Sequence, residues 1–190
     1  MIIVRILRAA LCCVLPLTAG AQEELLTRDQ AIREIFPEVA RTEAERRPLD
    51  DVPRMTLERS LGRNLPEREI EVIRVFGGDG SLRGYAVVAE EIGKYRPITF
   101  MVGVTPEITV RDVAVMAYRE TRGGDVKRRR FLAQYRGKRP TDPIDSNRDI
   151  INISGATISV RSLNAGVKRV LAEIALLYPI APPAPAASRE

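Results

Sequence analysis

The chain has 190 residues, enough for one domain with appendages, and its 30 Lys+Arg against 25 Asp+Glu give a formal net charge of +5. It has no His, no Trp and only Cys12 and Cys13 as thiols, so beyond residue 13 imidazole or thiolate metal sites, haem attachment, iron–sulfur clusters and Ser-His-Asp catalysis are excluded. The mild basic excess and 5% aromatic content offer neither an electrostatic stripe nor a stacking platform, and no nucleic-acid partner is expected.

Residues 1–21 read as an export signal. Arg5 and Arg8 precede an apolar run from Ala9 to Leu17, and Ala19-Gly20-Ala21 supplies a small-residue cleavage site before Gln22. The uncharged stretch from 9 to 22 is 14 residues, shorter than the roughly 20 a spanning helix needs. The expectation is a periplasmic or membrane-associated protein whose mature form has no cysteine. Its net charge falls from +5 to +3 because the segment holds two arginines and no acid.

Residues 22–67 read as a helical lead-in and linker. Thr27-Arg28-Asp29-Gln30 has the form of a capping box, followed by Ala31, Ile32, Ile35 and Phe36 on one face, so a short helix ending near Pro37 is predicted. Residues 38–54, charged and carrying Pro48 and Pro53, read as linker, and a second short helix is predicted from Thr56 to about Gly62.

A domain is predicted over 68–178. Its first strand holds Ile70, Val72, Val75 and Phe76. A Gly77-Gly78-Asp79-Gly80 hairpin turn and a return strand over 84–89 follow. Residues 97–104 and 110–118 make two further strands of an antiparallel meander. A loop over 119–126, a short helix over 127–138 ending at Gly137, and a polar loop over 139–149 come next. A long helix over 158–178 carries Val160, Leu163, Val167, Val170, Leu171, Ile174 and Leu177 at helical spacing. The fold class is therefore α+β: an antiparallel β-sheet meander packed by a long C-terminal helix, with short N-terminal helices. Residues 179–190, rich in Pro and Ala, read as a disordered tail.

The start of the long helix carries the chemistry. Ser154-Gly155-Ala156-Thr157 offers backbone N–H groups, a glycine that permits close approach and two hydroxyls. That combination suits a phosphate-sized anion at a helix N-terminus. An ordinary cap through Ser154 or Thr157 explains the same residues. Lys127 to Arg130 fits either a solvated face or a docking site for an acidic redox partner. Tyr95, Tyr118, Phe131 and Tyr135 fit either core packing or a cover for a flat ring.

The Ser-Gly-Ala-Thr-x-Ser run resembles the flavinylation motif of the FMN-binding domain family, which includes the flavin-carrying subunits of the Rnf and sodium-pumping NADH:quinone reductase complexes. Glu120-Thr121-Arg122-Gly123-Gly124 resembles that family's Glu-Thr-Pro-Gly loop, and Phe131 to Lys138 resembles its Phe/Trp-x-x-Gln-Phe-x-Gly-Lys segment. The likeness spans roughly 70–178. It implies FMN as cofactor, esterified through its phosphate to Thr157 by a separate flavin transferase. Ser154, Gly155, Ala156, Ser159, Glu120, Thr121 and Gly123 would complete the cofactor-binding set, with no catalytic residue and no metal. Membrane-bound or periplasmic redox partners are implied too, for a redox carrier more than a self-sufficient enzyme. Two positions depart from the family pattern. Ile151 stands where an acid usually precedes the motif, with Asp149 the nearest carboxylate, and Arg122 replaces the loop proline. From the residues alone, a non-redox periplasmic binding or assembly protein with a noncovalent phosphate-bearing ligand stays open, as does a small flavin-dependent reductase.

Overall fold

Helix α1 (Arg28–Ile35) starts on the capping box read from the sequence: Gln30 N donates to Thr27 Oγ1 at 3.3 Å, and Thr27 N donates to Gln30 Oε1 at 2.8 Å. The computed structural model describes residues 25–65 and 68–179, so the export signal expected over 1–21 and nearly all of the tail expected over 179–190 lie outside the described residues. Ala31, Ile32, Ile35 and Phe36 are buried against strands β4 (Pro97–Val104) and β5 (Val110–Tyr118). Gly103 permits that approach, since a Cβ there would lie 2.2 Å from Ile35 Cγ2.

The sheet is a five-stranded antiparallel meander in sequence order, β1 (Arg41–Pro48), β2 (Glu69–Phe76), β3 (Leu82–Ile92), β4 and β5. Side chains alternate between its two faces. Val72, Val87, Val102 and Val113 join the core under helix α4 (Thr157–Leu177), whereas Ile73, Ala86, Met101 and Ala114 join the core under α1. The expected C-terminal helix therefore covers one face, and the first N-terminal helix covers the other.

The linker expected over 38–54 is corrected by β1, which pairs with β2 from Arg41↔Phe76 to Pro48↔Glu69. Its sequence, Arg-Thr-Glu-Ala-Glu-Arg-Arg-Pro, shows no apolar alternation because it forms an outer edge whose side chains are exposed or half-buried. Such charge protects an open edge from pairing with other chains. The exposed pairs along it, such as Arg46–Glu69 at 3.6 Å, add little, and the backbone ladder holds the strand. Helix α2 (Asp51–Leu61) also begins earlier than the expected Thr56. Pro53 sits within its first turn, where no i→i−4 donor is required. It ends as predicted at Gly62, in the left-handed conformation at φ 65°.

The single helix expected over 127–138 is instead three short pieces: a 3₁₀ turn (Gly124–Lys127), helix α3 (Arg129–Leu132) and a second 3₁₀ turn (Ala133–Tyr135). Arg128 at φ −69°, ψ 134° interrupts the run and Arg136 at φ −58°, ψ 133° ends it, while Phe131, Leu132 and Tyr135 are buried. The segment then ties to the sheet through Gly137 N to Val110 O at 2.7 Å and Val110 N to Lys138 O at 2.8 Å.

Helix α4 buries the predicted stripe Val160, Leu163, Val167, Val170, Leu171 and Ile174, with Leu177 half-buried. Gly166 lets it sit close, because a Cβ there would fall 2.4 Å from Phe100 Cζ. Among the described residues, no helix is long and apolar enough to cross a membrane.

Candidate functional site

The chain approaches α4 through a tight turn in which Ala156 N donates to Ile153 O at 3.0 Å and Gly155 takes φ 78°. A side chain at 155 would be strained there, although it would meet no neighbour within 4 Å. The N-cap is Ala156, and no side chain caps the helix. Neither Ser154 nor Thr157 plays the capping role that sequence allowed. The first intrahelical bond is Val160 N to Ala156 O at 2.9 Å, so the N–H groups of the preceding turn face outward with the positive end of the helix dipole.

Thr157, the first helical residue, is half-buried, and its Oγ1 accepts from Asn152 Nδ2 at 3.2 Å while Asn152 Oδ1 accepts from Ile153 N at 3.0 Å. The hydroxyl is thus held as an acceptor, which leaves its own O–H available to donate to a further group. Ser159 is buried and sits 3.0 Å from Tyr118 OH, which donates to Arg122 O at 2.6 Å. With the tyrosine proton committed to that carbonyl, Ser159 Oγ is the donor to Tyr118. Its hydroxyl fastens the 119–123 loop to the helix start.

Glu120 braces the opposite wall. Its Oε1 accepts from Tyr95 N at 2.5 Å and Arg96 N at 3.0 Å, and Gly93 makes room, since a Cβ there would be 2.7 Å from that oxygen. Desolvation pushes the Glu120 carboxyl up, but the backbone N–H groups of Tyr95, Arg96 and Lys94 outweigh it and hold it below the usual glutamate range. Glu120→Ala is expected to speed amide hydrogen exchange at Tyr95 and Arg96 while leaving β4 protected. Unchanged exchange at those two amides would remove the bracing role.

Between these walls lies a cleft of about 460 Å³ lined by Gly155, Ala156, Thr157 and Ser159 on one side and by Glu120 and Thr121 on the other. That volume is within the range of small-molecule and cofactor sites, ~300–1,000 Å³. Six of the eight sequence-predicted site residues therefore converge there. Ser154 is exposed in the turn outside the lining, and Gly123 supports the cleft from behind at φ 80°, where a Cβ would press within 3.3 Å of Ala156. Lys94, Arg122 and Ile158 also line it. The meander carries the signal for Lys94, because antiparallel order puts the β3–β4 turn and the end of β5 at the same end of the sheet. Of the four aromatic candidates, Tyr118, Phe131 and Tyr135 are core residues, and only Tyr95, 74% exposed, stands at the rim.

A second cleft of about 350 Å³ adjoins the first, lined by Asp125, Arg128, Arg130, Phe131, Gln134 and residues 151–153. Gln134 Oε1 accepts from Ile151 N at 2.7 Å and so anchors the approach to α4. Asp149 turns away from it. Its Oδ2 accepts from Lys138 Nζ at 2.8 Å and Ile144 N at 3.2 Å, and its Oδ1 from Asp145 N at 2.9 Å. Ile151, where the resemblance expects an acid, is 76% exposed, and Asp149 is committed to these other partners.

Burial raises the Asp149 carboxyl, but the Lys138 ammonium and the Asp145 and Ile144 N–H groups outweigh burial and hold it below the ordinary aspartate value. A depressed folded-state value stabilises the fold above the unfolded-state pKa, about 3.9, and that contribution is lost as pH falls through the folded value. The acid limb of an unfolding titration is expected to flatten in Asp149→Asn. An acid limb identical to wild type would contradict the assignment.

Residues 93–172 match the family model described as the FMN-binding domain. The structure of NqrC from Shewanella oneidensis is similar over 77% of this chain and 85% of that one, with a TM-score of 0.53 and 16% identity. A subunit of the Na⁺-translocating NADH-quinone reductase from Parabacteroides distasonis is similar over 76% of this chain and 80% of its own, with a TM-score of 0.51 and 14% identity. At such identities the likeness establishes the shared fold. No curated protein sequence matches the chain.

Proposed function

We propose, from the match of residues 93–172 to the FMN-binding domain model, that this chain takes FMN as its cofactor and is an exported electron carrier with the FMN esterified to Thr157. The observation that carries the attachment is the uncapped start of α4 in the cleft, with the Thr157 hydroxyl held by Asn152. An esterified phosphate keeps one negative charge, which the helix terminus stabilises by about 0.3–1 kcal/mol. Lys94 and Arg122 add cations at the same walls. The chain has no His to activate a weak threonine nucleophile, so a separate flavin transferase performs the attachment. The donor must hold an activated phosphate such as the phosphoanhydride of FAD. The Thr157 Oγ–P bond forms, the P–O–P bond breaks, AMP leaves, and the hydroxyl proton goes to a base of the transferase.

FMN supplies the redox chemistry when bound, and the protein supplies position, charge and exclusion of water. Residues 1–21 support export to the periplasm or its membrane surface. One of the similar structures is a subunit of a sodium-translocating NADH-quinone reductase, which favours membrane-bound or periplasmic redox partners for this chain. Co-expression with a bacterial flavin transferase is expected to raise the intact mass by FMN less water and to leave a fluorescent band after denaturation. A colourless band of unmodified mass would refute the ester. Exposed Ile151 in place of the family's acid favours one second reading, noncovalent FMN in the same cleft. Acid precipitation distinguishes the two, since it releases noncovalent flavin and leaves the ester bound.

A further inference from the structure

The two clefts meet at the Asn152–Thr157 hydrogen bond, 3.2 Å long, and together form one face. Tyr95, Ile151 and Ile158 stand out from it at 74%, 76% and 45% exposure. Lys94 and Arg122 line the first cleft, and Arg128 and Arg130 the second. Only two carboxylates share this lining, and both are engaged. Glu120 accepts the amides of Tyr95 and Arg96, and Asp125 pairs with Arg128 at 2.8 Å. The face thus combines exposed apolar groups with a net positive lining. Exposed apolar groups interspersed with net positive charge suit a transient protein docking site, in which the apolar groups give contact and the charges steer encounter.

We infer that this face docks an acidic redox protein, one that presents carboxylates around its own exposed redox centre. The inference rests on the carrier reading above, because Thr157 lies at the seam and whatever covers the face also covers the flavin. Charge complementarity selects the acidic partner. The place of Thr157 at the seam selects a redox protein over an anionic membrane, since a lipid surface laid over the flavin would shut out both electron donor and acceptor.

The test uses the soluble domain of a cytochrome b5, a small acidic haem protein, titrated against the flavin-free protein at low and high salt. Binding is expected to weaken about tenfold across that salt range, and Arg128→Gln/Arg130→Gln to weaken low-salt binding by about tenfold. Ile151→Ser is expected to weaken binding at every salt concentration without altering its salt dependence. Arg128, Arg130 and Ile151 are all exposed, so folding is retained, and the titrations of flavin-free protein do not depend on loading. In the loaded, reduced protein, oxidation by anionic ferricyanide should slow with added salt and oxidation by cationic cobalt tris-phenanthroline should quicken.

Salt-independent binding, or binding indifferent to both variants, overturns the inference. So does capture by phosphatidylglycerol vesicles through the same residues without cytochrome binding, which would assign the face to a membrane. Failure of flavin loading alone would sink the carrier reading and leave the flavin-free titration intact as a test of the docking face.

Discussion

Thr157→Ala is expected to abolish covalent flavin completely while leaving the protein folded. The residue is the first of α4 and half-buried, and alanine is the best helix former. The substitution forfeits one hydrogen bond from Asn152 Nδ2, so the stability change should stay within about 1 kcal/mol. Thr157→Ser keeps the hydroxyl but loses the methyl that restricts χ1. It should therefore accept flavin more slowly and to the same end point. Ser159→Ala is the contrasting case. Its hydroxyl is directed to Tyr118, so this variant should keep the covalent flavin and loosen the 119–123 loop. Intact mass and fluorescence of the denatured band read all three variants. Persistent covalent flavin in Thr157→Ala would move the ester elsewhere.

The largest stability effect is expected at Arg169. Its Nε lies 3.2 Å from Glu91 Oε1 and its Nη1 3.2 Å from Glu173 Oε1, while Arg63 Nη1 donates to Glu91 Oε2 at 2.9 Å. The Arg169 side chain is only 3% exposed. Burial by itself would lower the guanidinium pKa, but the two carboxylates outweigh burial and raise it. Arg169→Met leaves Glu91 and Glu173 facing each other between α4 and β3. Loss of one partner of a buried ionic cluster costs about 3–5 kcal/mol, a large share of the ~5–15 kcal/mol that holds a domain together. Urea denaturation should show the midpoint fall, and Arg169→Met/Glu173→Met should recover part of it because one buried charge is gone with its partner. A single variant within about 1 kcal/mol of wild type would show that the cluster is solvated and contributes little. Glu91 lies two residues before Gly93, where the turn braced by Glu120 begins, so loss of the cluster should also loosen the Lys94 wall of the cleft.

Strands β2 to β5 and helix α4 were legible because each buries a face, and burial imposes a period on the apolar residues: two for the strands, three and four for the helix. Strand β1 was not, since an edge with charged side chains carries no such period, and its place is set by the β2 backbone it pairs with. The pieces over 124–135 defeated a single-helix reading because Val126 is buried as well, and on one continuous helix it would lie opposite Phe131, Leu132 and Tyr135. The motif Ser154 to Ser159 marked the candidate site, but the separate duties of its hydroxyls were hidden: both Thr157 and Ser159 line the cleft, yet the first is held by Asn152 and the second bonds Tyr118.

Local order along the chain thus determined the α+β class, the meander and the long helix and singled out Thr157 as the proposed attachment point, because these follow from periodicity and from short-range chemistry at a helix terminus. Tertiary structure decided the walls of the cleft. It brought Lys94 and Glu120 to Thr157 across the sheet end, turned Asp149 inward onto Lys138, and left Ile151 exposed beside two arginines. Those relations depend on chain segments dozens of residues apart packing at a common end of the sheet, a constraint that no local spacing records.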